Sequence, residues 1–140
     1  MVKLIIVDDH LHVREAWGWI LNKEPRMEVI AQCSSGEEAI EAAKLLQPDV
    51  ILMDINMRPM NGIEATRQIK KIAPDIRIIG VSVQADRSYV NEMLRSGANG
   101  YVTKNSPGSE MIAAIDEVLA GNTYLCKDIL LRPPQAPSLF

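Results

Sequence analysis

The sequence predicts an α/β protein with a doubly wound, five-stranded parallel sheet. Short runs rich in β-branched residues alternate with segments in which apolar residues recur at helical spacing. Residues 4–7 and 50–53 are apolar throughout, as in strands covered on both faces. Buried strands that alternate with helices require a parallel sheet between helix layers, with right-handed crossovers. The five predicted strands are residues 4–7, 28–31, 50–53, 77–81 and 101–102.

The helices between these strands are predicted from periodicity and from capping residues. Ser35 three residues before Glu38, and Asn61 three before Glu64, are typical of capped helix starts for the second and third helices. Ser106 is the predicted cap of the last helix, since proline follows it. The first helix has one apolar face, formed by Val13, Trp17, Ile20 and Leu21.

The composition is that of a globular protein with one domain. The 140 residues are 47% apolar and 24% charged, which is far from the composition of disordered chains. The net charge of −3 provides no basic surface for nucleic acid, so direct DNA binding by this segment is disfavoured. No apolar run reaches the roughly 20 residues of a membrane span. Cys33 and Cys126 lack metal-site or redox spacing, which indicates free thiols in a reducing cytoplasm.

The β-α alternation ends at Gly121, so the predicted domain is residues 1–121. Residues 122–140 are expected to form a linker or C-terminal tail. Residues 132–137 contain three prolines and cannot continue a helix.

Three aspartates follow predicted strands. Asp8 and Asp9 come after the first strand, and Asp54 comes after the third. In an open parallel sheet, ligands bind beyond the carboxyl ends of the strands, where the strand order reverses. If the third strand lies beside the first, the three carboxylates converge and need a cation between them. Carboxylates without a cysteine or histidine cluster suit Mg²⁺ or Mn²⁺ better than zinc.

The other strand ends carry groups that complement these carboxylates. Ser82 closes the fourth strand with a hydroxyl, and Lys104 follows the fifth with a positive charge. Singly, an aspartate here is more often a helix cap, a serine a turn residue and a lysine a surface charge. Together with a metal they are the groups that neutralise a phosphoryl group in transfer, so the sequence predicts a nucleophilic aspartate that forms an acyl phosphate.

Four motifs resemble those of the receiver domain of two-component response regulators. They are Val-Asp-Asp-His at 7–10, Leu-Met-Asp-Ile at 52–55, Val-Ser at 81–82 and Tyr-Val-Thr-Lys at 101–104. The resemblance covers about residues 2–121 and implies a flavodoxin-like (βα)5 sheet with strand order 2-1-3-4-5. Residues 61–65 and 100–107 are most similar to the branch that carries a LuxR-type helix-turn-helix output domain.

The resemblance also implies a role for each residue of the acidic site. Asp54 would accept a phosphoryl group from a sensor histidine kinase, and Lys104 would contact that group. Asp9 and Asp54, with the main-chain carbonyl of Asn56, would bind Mg²⁺ or Mn²⁺ directly. Asp8 would act mainly through water.

The resemblance further implies a conformational switch and a cytoplasmic regulator. Ser82 would turn toward the phosphate while Tyr101 swings inward, which would bias two surfaces around the fourth helix, fifth strand and fifth helix. The chain would not be an enzyme beyond phosphorylation and dephosphorylation of Asp54. Homodimerisation is left open, DNA would be contacted only through an output domain absent from this chain, and no membrane contact is expected.

Several positions near the site depart from the usual receiver pattern. Arg58 stands where proline is usual, and Pro59 follows it; a solvated loop arginine is favoured over a phosphate contact. Val83 replaces the common alanine, which would narrow access to the phosphate. Asn105 replaces a common proline after Lys104.

Four other side chains, near the site or on the surface, have specific expected roles. Asn56 and Gln84 occupy variable positions that tune dephosphorylation, where we expect them at most to position water. His10 is left out of the site, since a helix start explains it. Trp19 lies off the apolar helix face as an exposed aromatic, and a partner-binding role is the less favoured interpretation.

Three other functions compete with a receiver joined to an output domain. A stand-alone receiver would act through protein contacts alone. A haloacid dehalogenase-type phosphohydrolase usually needs a second aspartate two residues after the nucleophile, where Asn56 stands. A flavodoxin-like electron carrier would need a phosphate-binding loop after the first strand, where Asp8 and Asp9 would repel the flavin phosphate.

Overall fold

The structure, a computed structural model, describes residues 1–83 and 86–131, and these residues form alternating strands and helices. The elements in chain order are β1 (Val2–Val7), α1 (Leu11–Asn22), β2 (Met27–Cys33), α2 (Gly36–Leu46), β3 (Val50–Asp54), α3 (Gly62–Ile72), β4 (Arg77–Ser82), α4 (Arg87–Arg95), β5 (Gly100–Thr103), α5 (Gly108–Leu119), β6 (Tyr124–Leu125) and α6 (Lys127–Leu131).

The strands form one parallel sheet in the order β2-β1-β3-β4-β5-β6. The predicted α/β class and the order of the first five strands are confirmed, but the prediction of a five-stranded sheet is wrong. The sixth strand pairs with β5, where the amides of Tyr124 and Cys126 donate to the carbonyls of Asn99 and Tyr101, each at 3.1 Å. Two residues are too few to show strand periodicity, which is why the sequence did not reveal β6.

The segment after Gly121 therefore begins with β6 and α6. Both lie within the predicted linker or tail of residues 122–140. The proline-rich residues 132–137, predicted to be extended, lie outside the described residues.

Helices cover both faces of the sheet and form two groups. In one group α1 packs against α5, and in the other α3 packs against α2 and α4. The core consists of the central strands and the apolar helix faces, with Leu4, Ile5, Ile51, Leu52 and Ile79 almost fully buried. Both faces of β1 and β3 are therefore apolar, as the unbroken apolar runs predicted. Among the described residues, no helix combines the length and the apolar character needed to cross a bilayer.

Side-chain caps begin two helices as predicted. The Ser35 side chain accepts a hydrogen bond from the Glu38 amide at 3.1 Å, and that of Asn61 accepts one from the Glu64 amide at 2.9 Å. The predicted cap at Ser106 is wrong, because α5 begins at Gly108 with Pro107 at its cap position. The Ser106 hydroxyl instead lies 3.3 Å from that of Thr103, within the loop after β5.

Candidate functional site

The carboxyl ends of β1, β3, β4 and β5 bring the predicted site residues to one edge of the sheet. In the strand register Val7 is beside Met53, Asp54 beside Val81 and Ser82 beside Thr103. Ligand atoms of Asp8, Asp9 and Asp54 all lie within 4.8 Å of one another, together with one of His10. The expected convergence of the three aspartates therefore occurs, at the position where the strand order reverses.

Lys104 places its ammonium group between two of these carboxylates. Its Nζ lies 2.8 Å from Asp8 Oδ2 and 3.6 Å from Asp54 Oδ2. The amide of Lys104 donates to the Ser82 carbonyl at 2.8 Å, which fixes the start of the β5–α5 loop against β4. The single positive charge of Lys104 does not balance the negative charges of the aspartates. Binding of a cation in the pocket would therefore be electrostatically favourable.

Asp54 is the most deeply buried carboxylate of the site, with 1% of its surface exposed. Its Oδ1 accepts a long hydrogen bond of 3.3 Å from the Asn56 amide, but its buried Oδ2 has no hydrogen-bond partner among residues 1–83 and 86–131. Burial and the charge of Asp8 raise the pKa of Asp54, against the lowering effect of Lys104. A buried acceptor without a donor is the feature expected of an atom that binds a cation or a reacting group.

Asp8 is held by its neighbours on both sides. Its Oδ1 accepts from the His10 amide at 2.8 Å, and its Oδ2 faces Lys104. Its carbonyl accepts from the Arg14 guanidinium at 2.7 Å. Arg14 is a site neighbour that sequence reasoning missed. The exclusion of His10 from the site is wrong, because its ring lies against the aspartates and does not cap the helix.

Ser82 and Tyr101, the predicted switch pair, lie together in the interior. Neither side chain is exposed, and the Ser82 side chain partly offsets the rise in the pKa of Tyr101. The Asn56 amide group also donates to Ser82 Oγ at 3.3 Å. Burial is the main cause that raises the pKa of Tyr101 to about 12, so the phenol is neutral and can hydrogen-bond.

Gly80 provides the space that the Tyr101 ring occupies. A Cβ at this position would lie 3.1 Å from the ring and 2.9 Å from the Met93 methyl group. The inward position of Tyr101 therefore depends on a missing side chain on the neighbouring strand. Strand periodicity alone gave no sign of this dependence.

The departures from the usual receiver pattern lie in the loops around the pocket. Arg58 is exposed, follows Met57 in the β3–α3 loop, and precedes Pro59 through a cis peptide bond. It lines an open cleft of about 620 Å³ that also includes Asn56 and Tyr89. Val83 is exposed beyond β4, and Asn105 is exposed beyond Lys104. Gln84 lies outside the described residues.

Trp19 is exposed, as predicted, with 67% of its surface accessible. The Lys23 ammonium lies 3.3 Å from the centre of its ring, one helical turn along α1. This cation–π contact stabilises the exposed ring locally, typically by about 0.5–1 kcal/mol at such sites. It gives Trp19 a structural role that does not require a partner.

The fold and the pocket together define a receiver-type domain, with a doubly wound parallel sheet whose strand ends carry three aspartates and a lysine. Residues 4–116 match the family model of the response regulator receiver domain. The chain therefore belongs to the response regulator receiver domain family.

Curated relatives and solved structures agree with this assignment. The chain is 41% identical over 124 residues to the transcriptional regulatory protein DegU of Brevibacillus brevis, which covers 89% of this chain and 52% of the relative. It is 39% identical over 129 residues to the response regulator GacA of Pseudomonas syringae pv. syringae (strain B728a), covering 92% of this chain and 60% of that protein. The chain thus spans between about half and three fifths of these relatives.

Among solved structures, the crystal structure of a LuxR-family two-component response regulator from Aurantimonas sp. SI85-9A1 is similar at a TM-score of 0.89. It is 32% identical, and the match covers 93% of each chain. The predicted resemblance to receivers, and to the LuxR-type branch among them, is confirmed. These relatives are described as regulators and not as enzymes.

Proposed function

We propose that Asp54 accepts a phosphoryl group from a sensor histidine kinase, with Mg²⁺ or Mn²⁺ in the acidic pocket. The observation that carries this proposal is the buried Asp54 Oδ2, which lies 3.6 Å from the Lys104 ammonium and accepts no hydrogen bond from the described part of the chain. In the transfer, a carboxylate oxygen of Asp54 forms a bond to phosphorus. The bond from phosphorus to the donor's imidazole nitrogen breaks, and its electron pair stays on that nitrogen.

The other pocket residues would bind the cation and contact the phosphoryl group. Asp9 and Asp54, with the carbonyl of Asn56, would hold the cation, which would neutralise negative charge on the phosphoryl oxygens. Asp8, whose two oxygens face the His10 amide and Lys104, would act through water. The Lys104 ammonium would shift slightly from its position between the carboxylates and contact the phosphoryl group.

Ser82 and Tyr101 would couple phosphorylation of Asp54 to a conformational change at the protein surface. The complete burial of Tyr101 supports this role, because the resemblance associates an inward Tyr101 with activation. Phosphorylation would draw Ser82 toward Asp54 and so shift an existing equilibrium between inward and outward Tyr101.

The regulated process would be transcription, through a DNA-binding domain of the LuxR type outside this chain. Support comes from DegU, which is named as a transcriptional regulatory protein and is nearly twice as long as the matched region. We place this regulator in the cytoplasm, where its kinase partner would donate phosphate. A stand-alone receiver that acts through protein contacts would use the same phosphorylation chemistry, and so would a homodimer.

The first test is phosphorylation of the purified chain by acetyl phosphate with Mg²⁺, measured by intact mass. The protein is expected to gain the mass of one phosphoryl group, and Asp54→Asn is expected to abolish that gain because no nucleophile remains. A wild-type chain that gains no mass, or an Asp54→Asn variant that still does, would overturn the proposal. Sustained hydrolysis of an added sugar phosphate would favour a phosphohydrolase instead.

A second prediction concerns the cation ligands. Asp9→Ala is expected to weaken Mg²⁺ binding at least about tenfold, since it removes a charged oxygen ligand from a small site. Isothermal titration with Mg²⁺ measures this effect, with Glu15→Ala on the exposed part of α1 as the control. Unchanged affinity in Asp9→Ala would show that the ligand assignment is wrong.

A further inference from the structure

The His10 ring lies against the acidic pocket and faces two of its carboxylates. Its Nδ1 is 3.0 Å from Asp8 Oδ1 and 3.0 Å from Asp9 Oδ1. The side chain is 66% exposed, so an ion that carries several waters can reach it. An imidazole nitrogen is therefore part of a site whose other donors are all oxygens.

An independent observation indicates that this cluster holds a ligand. Asp54 belongs to the same group, and its buried Oδ2 has no hydrogen-bond partner within the described residues. In addition, two ligands in neighbouring positions around an octahedral ion, with bonds of about 2.1 Å, are about 3 Å apart. The separation of His10 Nδ1 from Asp9 Oδ1 matches that spacing.

The neighbours of Asp8 indicate which groups are available to an ion. One Asp8 oxygen accepts from the His10 amide and the other faces Lys104. Asp9 is partly exposed, and Asp54 has its free Oδ2. The remaining groups are Asp9, Asp54 and His10, two carboxylates and one imidazole. Nδ1 of that imidazole would exchange its contact with Asp8 Oδ1 for the ion.

We propose that His10 Nδ1 is a nitrogen ligand of the cation site, which therefore also accepts first-row transition ions in competition with Mg²⁺. This inference rests on the cation site of the proposed function. Mg²⁺ is bound almost entirely by oxygen, whereas Co²⁺, Ni²⁺ and Zn²⁺ bind imidazole well. A nitrogen ligand raises the affinity for the latter ions while it adds little for Mg²⁺. The identity of the bound ion would then depend on which divalent ions are available around the protein.

The test compares Mg²⁺ and Co²⁺ affinities of the wild type, His10→Gln and His12→Gln by isothermal titration. The chain has two histidines, and His12 lies on the exposed surface of α1, so His12→Gln is a matched control. His10→Gln is expected to lower Co²⁺ affinity about tenfold or more and to change Mg²⁺ affinity less than about threefold. Equal losses for both ions, or no loss for Co²⁺, would overturn the proposal.

A second measurement follows the histidine ring resonances in the NMR spectrum during a Zn²⁺ titration. Coordination is expected to shift the Nδ1 resonance of His10 and to leave that of His12 unchanged. If Zn²⁺ binds while the His10 ring keeps its metal-free resonance, His10 only hydrogen-bonds to the aspartates. The wild type and His12→Gln should gain a phosphoryl group with Mg²⁺ and acetyl phosphate whether or not His10 binds a transition ion. A failure of this inference is therefore distinguishable from a failure of the proposed function.

Discussion

Replacing Gly62 with alanine is expected to destabilise the domain by about 3 kcal/mol and to displace Asp54. Gly62 is the first residue of α3, and its amide donates to the Ile55 carbonyl at 3.1 Å. An added Cβ would overlap the carbonyl oxygen of Asp54 and come within 2.8 Å of the Ile55 Cα. Both neighbours are backbone, so the end of β3 must move to relieve the overlap.

The control for this prediction is Gly36→Ala. Gly36 is likewise buried and is the first residue of a capped helix, α2. Its Cβ would meet no backbone atom of another described element within 3.2 Å, and its nearest neighbours would be the flexible Met60 side chain, 3.0 Å away at Sδ, and Ala65 Cβ at 3.2 Å. Denaturant unfolding should show less than about 1 kcal/mol of destabilisation for Gly36→Ala. Gly62→Ala should also slow phosphorylation by acetyl phosphate. Similar stabilities of the two variants would show that the β3–α3 junction adapts to a side chain at residue 62.

The second prediction is that Asp54→Asn stabilises the metal-free protein by about 2 kcal/mol at neutral pH. In the native state burial and Asp8 disfavour the ionised carboxylate, which is why its pKa is raised. The amide of asparagine is uncharged, so the variant avoids much of the cost of burying an incompletely paired charge. Urea unfolding in the presence of a chelator measures the difference.

The pH dependence of this difference has a definite sign. Because the native pKa of Asp54 is above its unfolded value of about 3.9, the wild type loses stability relative to the variant as the pH rises. Below that unfolded value both states are protonated and the two proteins should be equally stable in this respect. The difference should then grow as the pH increases through the native pKa.

Added Mg²⁺ should reverse the order of stability, since binding to the native state stabilises the wild type more than the variant. Asp75→Asn, an exposed carboxylate away from the pocket, is the control and should change stability by less than about 0.5 kcal/mol. An Asp54→Asn variant less stable than the wild type at pH 7 without metal would contradict this account of the buried carboxylate.

The sequence was sufficient to predict the central sheet and the convergence of the acidic residues. Runs such as residues 50–53 can only be strands covered on both sides, and parallel strands share one carboxyl edge. Asp8, Asp54 and Lys104 therefore had to meet once their strands were neighbours. The position of each residue relative to a strand end carried that information.

The contacts that sequence reasoning missed depend on tertiary packing. The orientation of the His10 ring is a choice between rotamers at a helix start, and no residue pattern specifies it. The close approach of Tyr101 to Gly80 arises between strands separated along the chain by a helix, and that of Gly62 to β3 depends on how the β3–α3 loop folds back. Local periodicity has no access to such contacts.

The short strand β6 has a consequence for how the molecule behaves in solution. An uncovered β5 would present unpaired amide and carbonyl groups to any passing extended chain. Within the part of the chain that the structure describes, the outermost strand on that side is β6, which is two residues long and is followed by α6. An edge strand this short offers few hydrogen-bonding groups to another chain, so we expect this side of the sheet to resist edge-to-edge aggregation.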